Sequence, residues 1–424
     1  MDAPVQRPVQ QPVRVLLFST LYPSASRPNH GIFVETRLRE LLKTGEVEVR
    51  VVAPVPWFPS TNPRFGEQAR MAATPAQETR NGISVTHPRY PLLPKIGMSI
   101  APLLLALASI APIRKLQREG FDFDVIDAHY YYPDGVAAAW LARHFNQPLA
   151  ITARGTDLNL ITQHALPRRM IVWAAQRAQA SIGVCKALVD VLRDLHVDTR
   201  KLHVMRNGVD LQRFQRVAAP DLRARVGLQP GQGPLLLSVG HLIERKGHHL
   251  VIEALAALLP QHPQARAVIV GEGVEHARLA ALAQRLGVAD RVTLTGALPQ
   301  AELPRWYSAA DVLLLASSRE GWANVLLEAM ACGTPVVATN IWGTPEVVAK
   351  PVAGVLVDER SGAALAAGVQ QLLAARPAPE AVRAYAEGFG WEETSRAQVA
   401  LFRRLSGLAA AAQSPSNAVG SQHA

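Results

Sequence analysis

Short, wholly apolar runs alternate with amphipathic stretches along almost the entire chain. Residues 13–19, 47–53, 125–128, 149–152, 180–184 and 202–205 read as strands. Between them, 33–42, 135–145 and 186–195 carry the spacing of helices with one buried face. Continuous apolar strands separated by helices predict parallel sheets covered on both sides. The pattern breaks at Arg206-Asn207-Gly208-Val209-Asp210 and through a charged, then Pro- and Gly-rich segment ending near Gly233. It restarts with apolar runs at 235–239, 267–270, 292–295, 312–316, 335–339 and 354–357, and is helical again after Pro379. This predicts an α/β protein with two doubly wound domains joined near residue 210. The expected division is a disordered arm over 1–12, a first domain over 13–210, and a second over 211–390. A helix at 391–406 is expected to pack back on the first domain, ahead of a disordered tail at 407–424. No short-period repeat is present, which argues against a solenoid.

Composition narrows the function classes. Apolar residues are 49% and charged residues 18%, which excludes a disordered chain. The net charge of +10 favours anionic partners: phosphorylated small molecules, anionic head groups or nucleic acid. No helix-turn-helix, zinc-finger or aromatic RNA-binding pattern is evident, so nucleic acid is not expected. Cys185 and Cys332 are too few for a disulfide framework and read as two buried thiols. The first twelve residues have no apolar core or cleavage pattern, which argues against a secretory signal. Residues 96–113 carry no charge, and eighteen residues is the lower limit for crossing a bilayer. Gly97, Pro102 and Pro112 interrupt the run. It reads as a buried or surface-docking helix whose flank, Arg114, Lys115 and Arg118, suits an anionic membrane surface. The alternative is an ordinary helix covering a parallel sheet.

Open parallel sheets bind ligands beyond the carboxyl ends of their strands, so two facing sheets place the chemistry in a cleft. The string SSREGWANVLLEAMACGTPVV, 317–337, runs from a strand through a polar loop into a helix. That helix begins near Ala323 or Asn324 and ends before Gly333, which suits a left-handed cap. The first N–H groups of such a helix form a phosphate site. Glu320 in the loop and Glu328 within the helix would then accept hydrogen bonds from sugar hydroxyls. The E-x7-E spacing alone equally describes a capped surface helix with solvated glutamates; the whole string carries the reading. Asp122-Phe123-Asp124 has the D-x-D form of a metal motif but precedes a strand, so it reads as a solvated turn. No compact His/Cys/Asp cluster appears, and neither metal nor cofactor is expected. A nicotinamide or flavin enzyme would need G-x-G-x-x-G after an early strand; Gly271-Glu272-Gly273 approaches it, and His276 breaks it.

The 317–337 string resembles the signature of the retaining glycosyltransferase family 4, which has the GT-B fold of two facing Rossmann-like domains. SVGHLIERKGHHLVIEAL (238–255), VIVGEG (268–273), LTGALPQAELPRWYSAADVLLLAS (294–317), VMRNGVD (204–210) and DVIDAHYYYPDG (124–135) extend the resemblance in the right order. ITARGTDL (151–158) and NHGIFVE (29–35) match in part. The resemblance covers about 13–405 and is looser in the first half. It implies an N-terminal acceptor-binding domain and a C-terminal domain binding a UDP- or GDP-linked sugar. Lys246 and Arg245 would reach the donor diphosphate, with Arg245 replacing an arginine that the family has at His241. Asn324 and Val325 would offer N–H groups to phosphate, Glu328 would bind ribose, Glu320 the transferred sugar, and Leu298 would lie near the base. Gly31 would admit donor phosphate. His129 would contact the donor sugar, with Lys246 and Glu320 completing the catalytic set. Arg154, where relatives have histidine, would bind an anionic acceptor or a phosphate, and Asp157 would cap or orient its loop. The acceptor would be a saccharide or lipid-linked saccharide. The implied role is cell-surface (exo)polysaccharide synthesis in the cytoplasm or at the inner membrane face. A non-catalytic nucleotide-sugar-binding protein, a sucrose- or glycogen-type synthase, and an epimerase or phosphorylase are the alternatives.

Overall fold

The computed structural model describes residues 11–92, 97–229 and 232–408. The arm over 1–12 and the tail over 407–424 fall almost wholly outside that range. Ten strands form the first half: β1 (Val13–Phe18), β2 (Val47–Val52), β3 (Val55–Pro56), β4 (Gln77–Arg80), β5 (Ile83–Thr86), β6 (Arg89–Tyr90), β7 (Val125–His129), β8 (Leu149–Ala153), β9 (Ala180–Gly183) and β10 (Leu202–Val204). Eight make one sheet in the order β10-β9-β8-β7-β1-β2-β5-β4, parallel except for the β4–β5 hairpin. β3 and β6 form a separate two-stranded ribbon. The second sheet is parallel, in the order β13-β12-β11-β14-β15-β16, from β11 (Leu235–Val239), β12 (Arg266–Val270), β13 (Val292–Gly296), β14 (Val312–Leu315), β15 (Val336–Thr339) and β16 (Gly354–Val357).

These are two Rossmann-like domains facing each other, the GT-B architecture. Each sheet winds outward in both directions from a switch point, between β1 and β7 in the first and between β11 and β14 in the second. Ligands bind at such points because the flanking loops diverge there and leave a crevice.

The helices bearing on the cleft are α1 (Ile32–Leu42), α2 (Gly97–Arg118), α3 (Val136–Phe145), α4 (His248–Leu258), α5 (Leu303–Ala309), α6 (Asn324–Ala331) and α7 (Glu392–Leu405). Most strand positions in the two sheets are apolar, and the helices bury one face on them. Leu105, Ala106, Ile113 and Leu116 anchor α2 in the core shared with β7 and α3. Val399, Leu401 and Phe402 seat α7 among Val13, Leu17 and Leu38 of the first domain. Cys185 and Cys332 are buried and unbridged.

Candidate active site

The second domain brings its charged groups together at the β11/β14 switch point. After β11 a short turn over Glu244–Lys246 ends at Gly247, whose left-handed φ of 70° starts α4. A Cβ there would stand 2.1 Å from the Ala316 carbonyl oxygen, so only glycine fits. This turn lays Lys246 and Arg245 beside the loop after β14. The Lys246 ammonium donates to Glu320 Oε1 at 2.6 Å, and the Ser317 hydroxyl reaches the same oxygen at 2.6 Å. Arg245 stands 3.8 Å from Glu320 Oε2 and donates to the Arg319 carbonyl at 2.7 Å. Burial alone would raise the Glu320 carboxyl, but the two cations and the hydroxyl hold it below its ordinary range. Two cations against one carboxylate leave this corner positive, as a departing diphosphate requires.

The helix α6 starts where the sequence places it, and Gly333 takes the left-handed conformation beyond its end, φ 80°. Glu328, half-buried in α6, accepts the Tyr307 hydroxyl at 2.7 Å. Burial pushes its carboxyl up to about 7, against the Tyr307 bond and the nearby Arg213. Glu328 and Asn324 line a small cavity together with Phe33 and Thr36 of α1, so both domains contribute to it. Val325 and Leu298 are partly buried against the shared core.

In the first domain Gly31 caps α1 at φ 67°, and a Cβ would meet the Leu21 backbone at 2.3 Å. The loop after β1 is tied to the loop after β7 by Asp134, which accepts the Thr20 N–H and, at 3.0 Å, the Thr20 hydroxyl. His129 is the last residue of β7 rather than the first after it. Both its ring nitrogens are engaged: Nε2 with Asp127 Oδ2 at 3.0 Å and Nδ1 with the Arg154 guanidinium. Burial, with Arg154 adjacent, lowers the imidazole to about 4 in spite of Asp127, so it is neutral at physiological pH. Arg154 also donates to Asn207 Oδ1 at 3.2 Å and lies over the Phe33 ring. It therefore belongs to the polar interior behind the cleft. Asp157 accepts the N–H groups of Tyr131, Arg154 and Gly155, which fixes the loop after β8.

The chain of contacts continues. Asp127 Oδ2 accepts from Gln398 of α7 at 3.1 Å, and Gln398 accepts from Arg37 of α1 at 2.8 Å. Arg37 donates to the Met205 carbonyl, and Asn207 donates to Asn324 Oδ1 at 3.3 Å. A buried polar network thus links His129 to the start of α6. Sequence reasoning missed Asp127, Gln398, Arg37, Ser317, Tyr307 and Asn207. Only Asp127 had a local signal, since Asp-x-His on one strand puts both side chains on one face.

The loops after β8, β9, β14 and β15 meet across the cleft. A Cβ on Gly321 would stand 2.0 Å from the Arg154 carbonyl oxygen. Asn159 donates to the Glu320 carbonyl, and Glu346 accepts the Lys186 N–H at 2.6 Å and pairs with Arg206. The D-x-D string lies away from these loops and serves the fold. The Asp124 carboxylate accepts the Arg14 N–H at 2.8 Å, and the Asp124 N–H donates to the Arg14 carbonyl.

Two family profiles match the chain: "Glycosyltransferase Family 4" over 30–213 and "Glycosyl transferases group 1" over 222–389. The chain is 34% identical over 315 residues to a D-inositol 3-phosphate glycosyltransferase of Frankia alni, covering 68% of this chain and 76% of that one. It is 28% identical over 366 residues to the putative teichuronic acid biosynthesis glycosyltransferase TuaC of Bacillus subtilis, covering 84% and 88%. Among solved structures it resembles sucrose-phosphate synthase from Thermosynechococcus elongatus, with TM-score 0.74 and 24% identity over 94% of this chain and all of that one. It also resembles HepE of Anabaena in complex with UDP, with TM-score 0.70 and 20% identity over 92% and 100%.

Proposed function

The chain belongs to glycosyltransferase family 4, and from that premise we propose a retaining, metal-independent transfer of a sugar from a nucleotide-sugar to a saccharide or lipid-linked saccharide. The observation that carries this reading is the convergence of Lys246, Arg245 and the start of α6 on one switch point, opposite the switch-point loops of the first domain. The bond between the anomeric carbon and the diphosphate oxygen breaks, and negative charge grows on that oxygen. Lys246, Arg245 and the N-terminus of α6 supply fixed positive potential there, which lowers the barrier without reorganisation. The acceptor hydroxyl oxygen bonds the same face of the sugar, and its proton passes to the departing phosphate oxygen. Glu328 accepts the ribose hydroxyls. Glu320, displaced from Lys246 by the diphosphate, accepts a hydroxyl of the transferred sugar and orients it. His129, neutral and clamped by Asp127 and Arg154, shapes the sugar side of the cleft.

HepE holds UDP, so a uridine donor is the first to test. The relatives named for inositol phosphate and teichuronic acid support a polar, anionic acceptor in cell-surface polysaccharide assembly at the cytoplasmic membrane face. The test is thermal shift against UDP, GDP, their sugars and NAD(P), since a ligand that binds only the folded state raises Tm. A shift with one nucleoside diphosphate family, absent in Glu328→Ala and Lys246→Ala, supports the donor site. A shift with NAD(P) alone overturns it.

A further inference from the structure

Part of the outer face of α2 is exposed among the described residues, although Arg114 on that face hydrogen-bonds His144 at 2.9 Å. A helix that covers a sheet needs one apolar face, and α2 has that in Leu105, Ala106, Ile113 and Leu116. Yet Leu103 and Leu107, one turn apart on the opposite face, are 46% and 57% exposed, and Ala111 continues their stripe at the same spacing. The β3/β6 ribbon packs on α2 through β6. Trp57, whose N–H donates to the Tyr90 carbonyl at 2.8 Å, and Leu92 extend from its end and are 58% and 53% exposed. These four, two on α2 and two at the end of the ribbon that packs on it, are among the nine exposed large hydrophobics of the described residues. The other five, Leu166, Val204, Val217, Val274 and Leu286, come singly from separate segments.

The chain segment that carries these residues is basic. Residues 54–120 hold eight Lys and Arg against three Glu, a net +5, which is half of the chain's +10 in under a sixth of its length. Arg114 and Arg118 close the α2 stripe, and Arg64 and Arg70 are exposed on the segment after Trp57. The placement is set by topology. β3 follows the carboxyl end of β2, and β6, parallel to β3, follows that of β5, so Trp57 and Leu92 lie on the cleft side. As a crossover between parallel strands, α2 runs back from that side, so Leu103 and Leu107 stand near the cleft and Arg114 and Arg118 away from it.

We propose that this face, Trp57, Leu92, Leu103 and Leu107 with Arg114 and Arg118, docks on an anionic lipid surface and holds the mouth of the cleft against it. Leucines and an indole enter the head-group boundary while the cations meet lipid phosphates. The inference rests on the lipid-linked acceptor reading: docking would present that acceptor within the membrane plane, and α2 stays anchored in the fold rather than spanning.

The test is co-sedimentation of the full chain with phosphatidylcholine vesicles, with and without about 30 mol% phosphatidylglycerol, at low and high salt. Anionic vesicles should bind at least about tenfold better than neutral ones, and salt should reduce the difference. Leu103→Glu/Leu107→Glu should lower partition about tenfold or more, and Arg114→Glu/Arg118→Glu should abolish the anionic preference. Both variants should retain the native melting temperature and UDP-induced shift, which shows that they fold. Failure of the native chain to bind, or equal binding by the leucine variant, overturns the proposal. If the leucine change instead converts a dimer to a monomer in size-exclusion chromatography and leaves vesicle binding intact, the face belongs to a second copy and the proposal falls. The donor reading is scored separately on the same samples: vesicle binding without any nucleotide shift supports this face and sinks the transferase site.

Discussion

Glu328 and Lys246 carry the two sharpest single-residue consequences. The folded Glu328 carboxyl titrates near 7 instead of its ordinary 4.5. A raised acid means that the ionised form is disfavoured in the fold, so the group's contribution to stability is full below about 4.5 and is lost as pH rises through about 7. Glu328→Gln keeps an oxygen for Tyr307 but cannot ionise. Its stability, read from the denaturation midpoint, should match that of the native chain at pH 4 and exceed it at pH 8, by an amount bounded at about 3 kcal/mol before solvent screening. Its nucleotide-induced shift should fall at both values. A constant offset across pH would show that Glu328 does not titrate in this range. Lys246→Ala removes both a partner of Glu320 and a charge at the diphosphate. Loss of one such group costs about 10²–10³ in turnover, read as nucleotide-sugar consumption with acceptor present. Activity within a few-fold of native would remove Lys246 from the catalytic set.

At the scale of elements, glycines mark where loops approach one another. Gly31→Ala combines a left-handed φ with a Cβ 2.3 Å from the Leu21 backbone. The expected cost exceeds about 2 kcal/mol, measured as the denaturation midpoint, because α1 must swing away from the loop after β1. The second sheet, α6 and the Gly333 cap were legible because most of those strands are apolar runs and the helix has a clear stop. The helix over 96–113 was legible from its uncharged run, but the region 54–92 was not. β3 and β6 are two residues long, and β4 reads Gln-Glu-Thr-Arg with alternate positions exposed, so no apolar run announces them. The charged loops after β11 and β14 were legible as candidates, but their ion pair was not, since 74 residues separate Lys246 from Glu320. Gln398 lies 271 residues from Asp127, and nothing local in α7 sets that glutamine apart from a solvated one.

The whole molecule is held by a seam between its halves, and that seam gives a test of how the site assembles. Gly321 lies against the Arg154 carbonyl so closely that a methyl group would overlap it, and both neighbours are backbone, which cannot rotate away. Gly321→Ala must therefore part the domains at the point where Glu320 and Arg154 come together. The damage centres on the interface: the cluster around Leu236, Val251 and Leu365 in the second domain and that around Val15, Leu38 and Phe402 in the first keep their packing, so the thermal transition should fall by only a few degrees. Transfer should suffer far more, because a misplacement of about 1 Å in a positioned site costs on the order of 100-fold. The radius of gyration from small-angle scattering should rise. Nucleotide affinity should change little, since Lys246, Arg245, Glu328 and α6 all belong to one domain. The buried network offers the matching control. Gln398→Ala strips Asp127 and Arg37 of a partner inside the first domain and should cost about 2–4 kcal/mol of stability. If both variants lost stability and activity in the same proportion, the seam would be a packing contact. If Gly321→Ala loses turnover at nearly native stability while Gln398→Ala loses stability first, closure of the two halves is what completes the catalytic site.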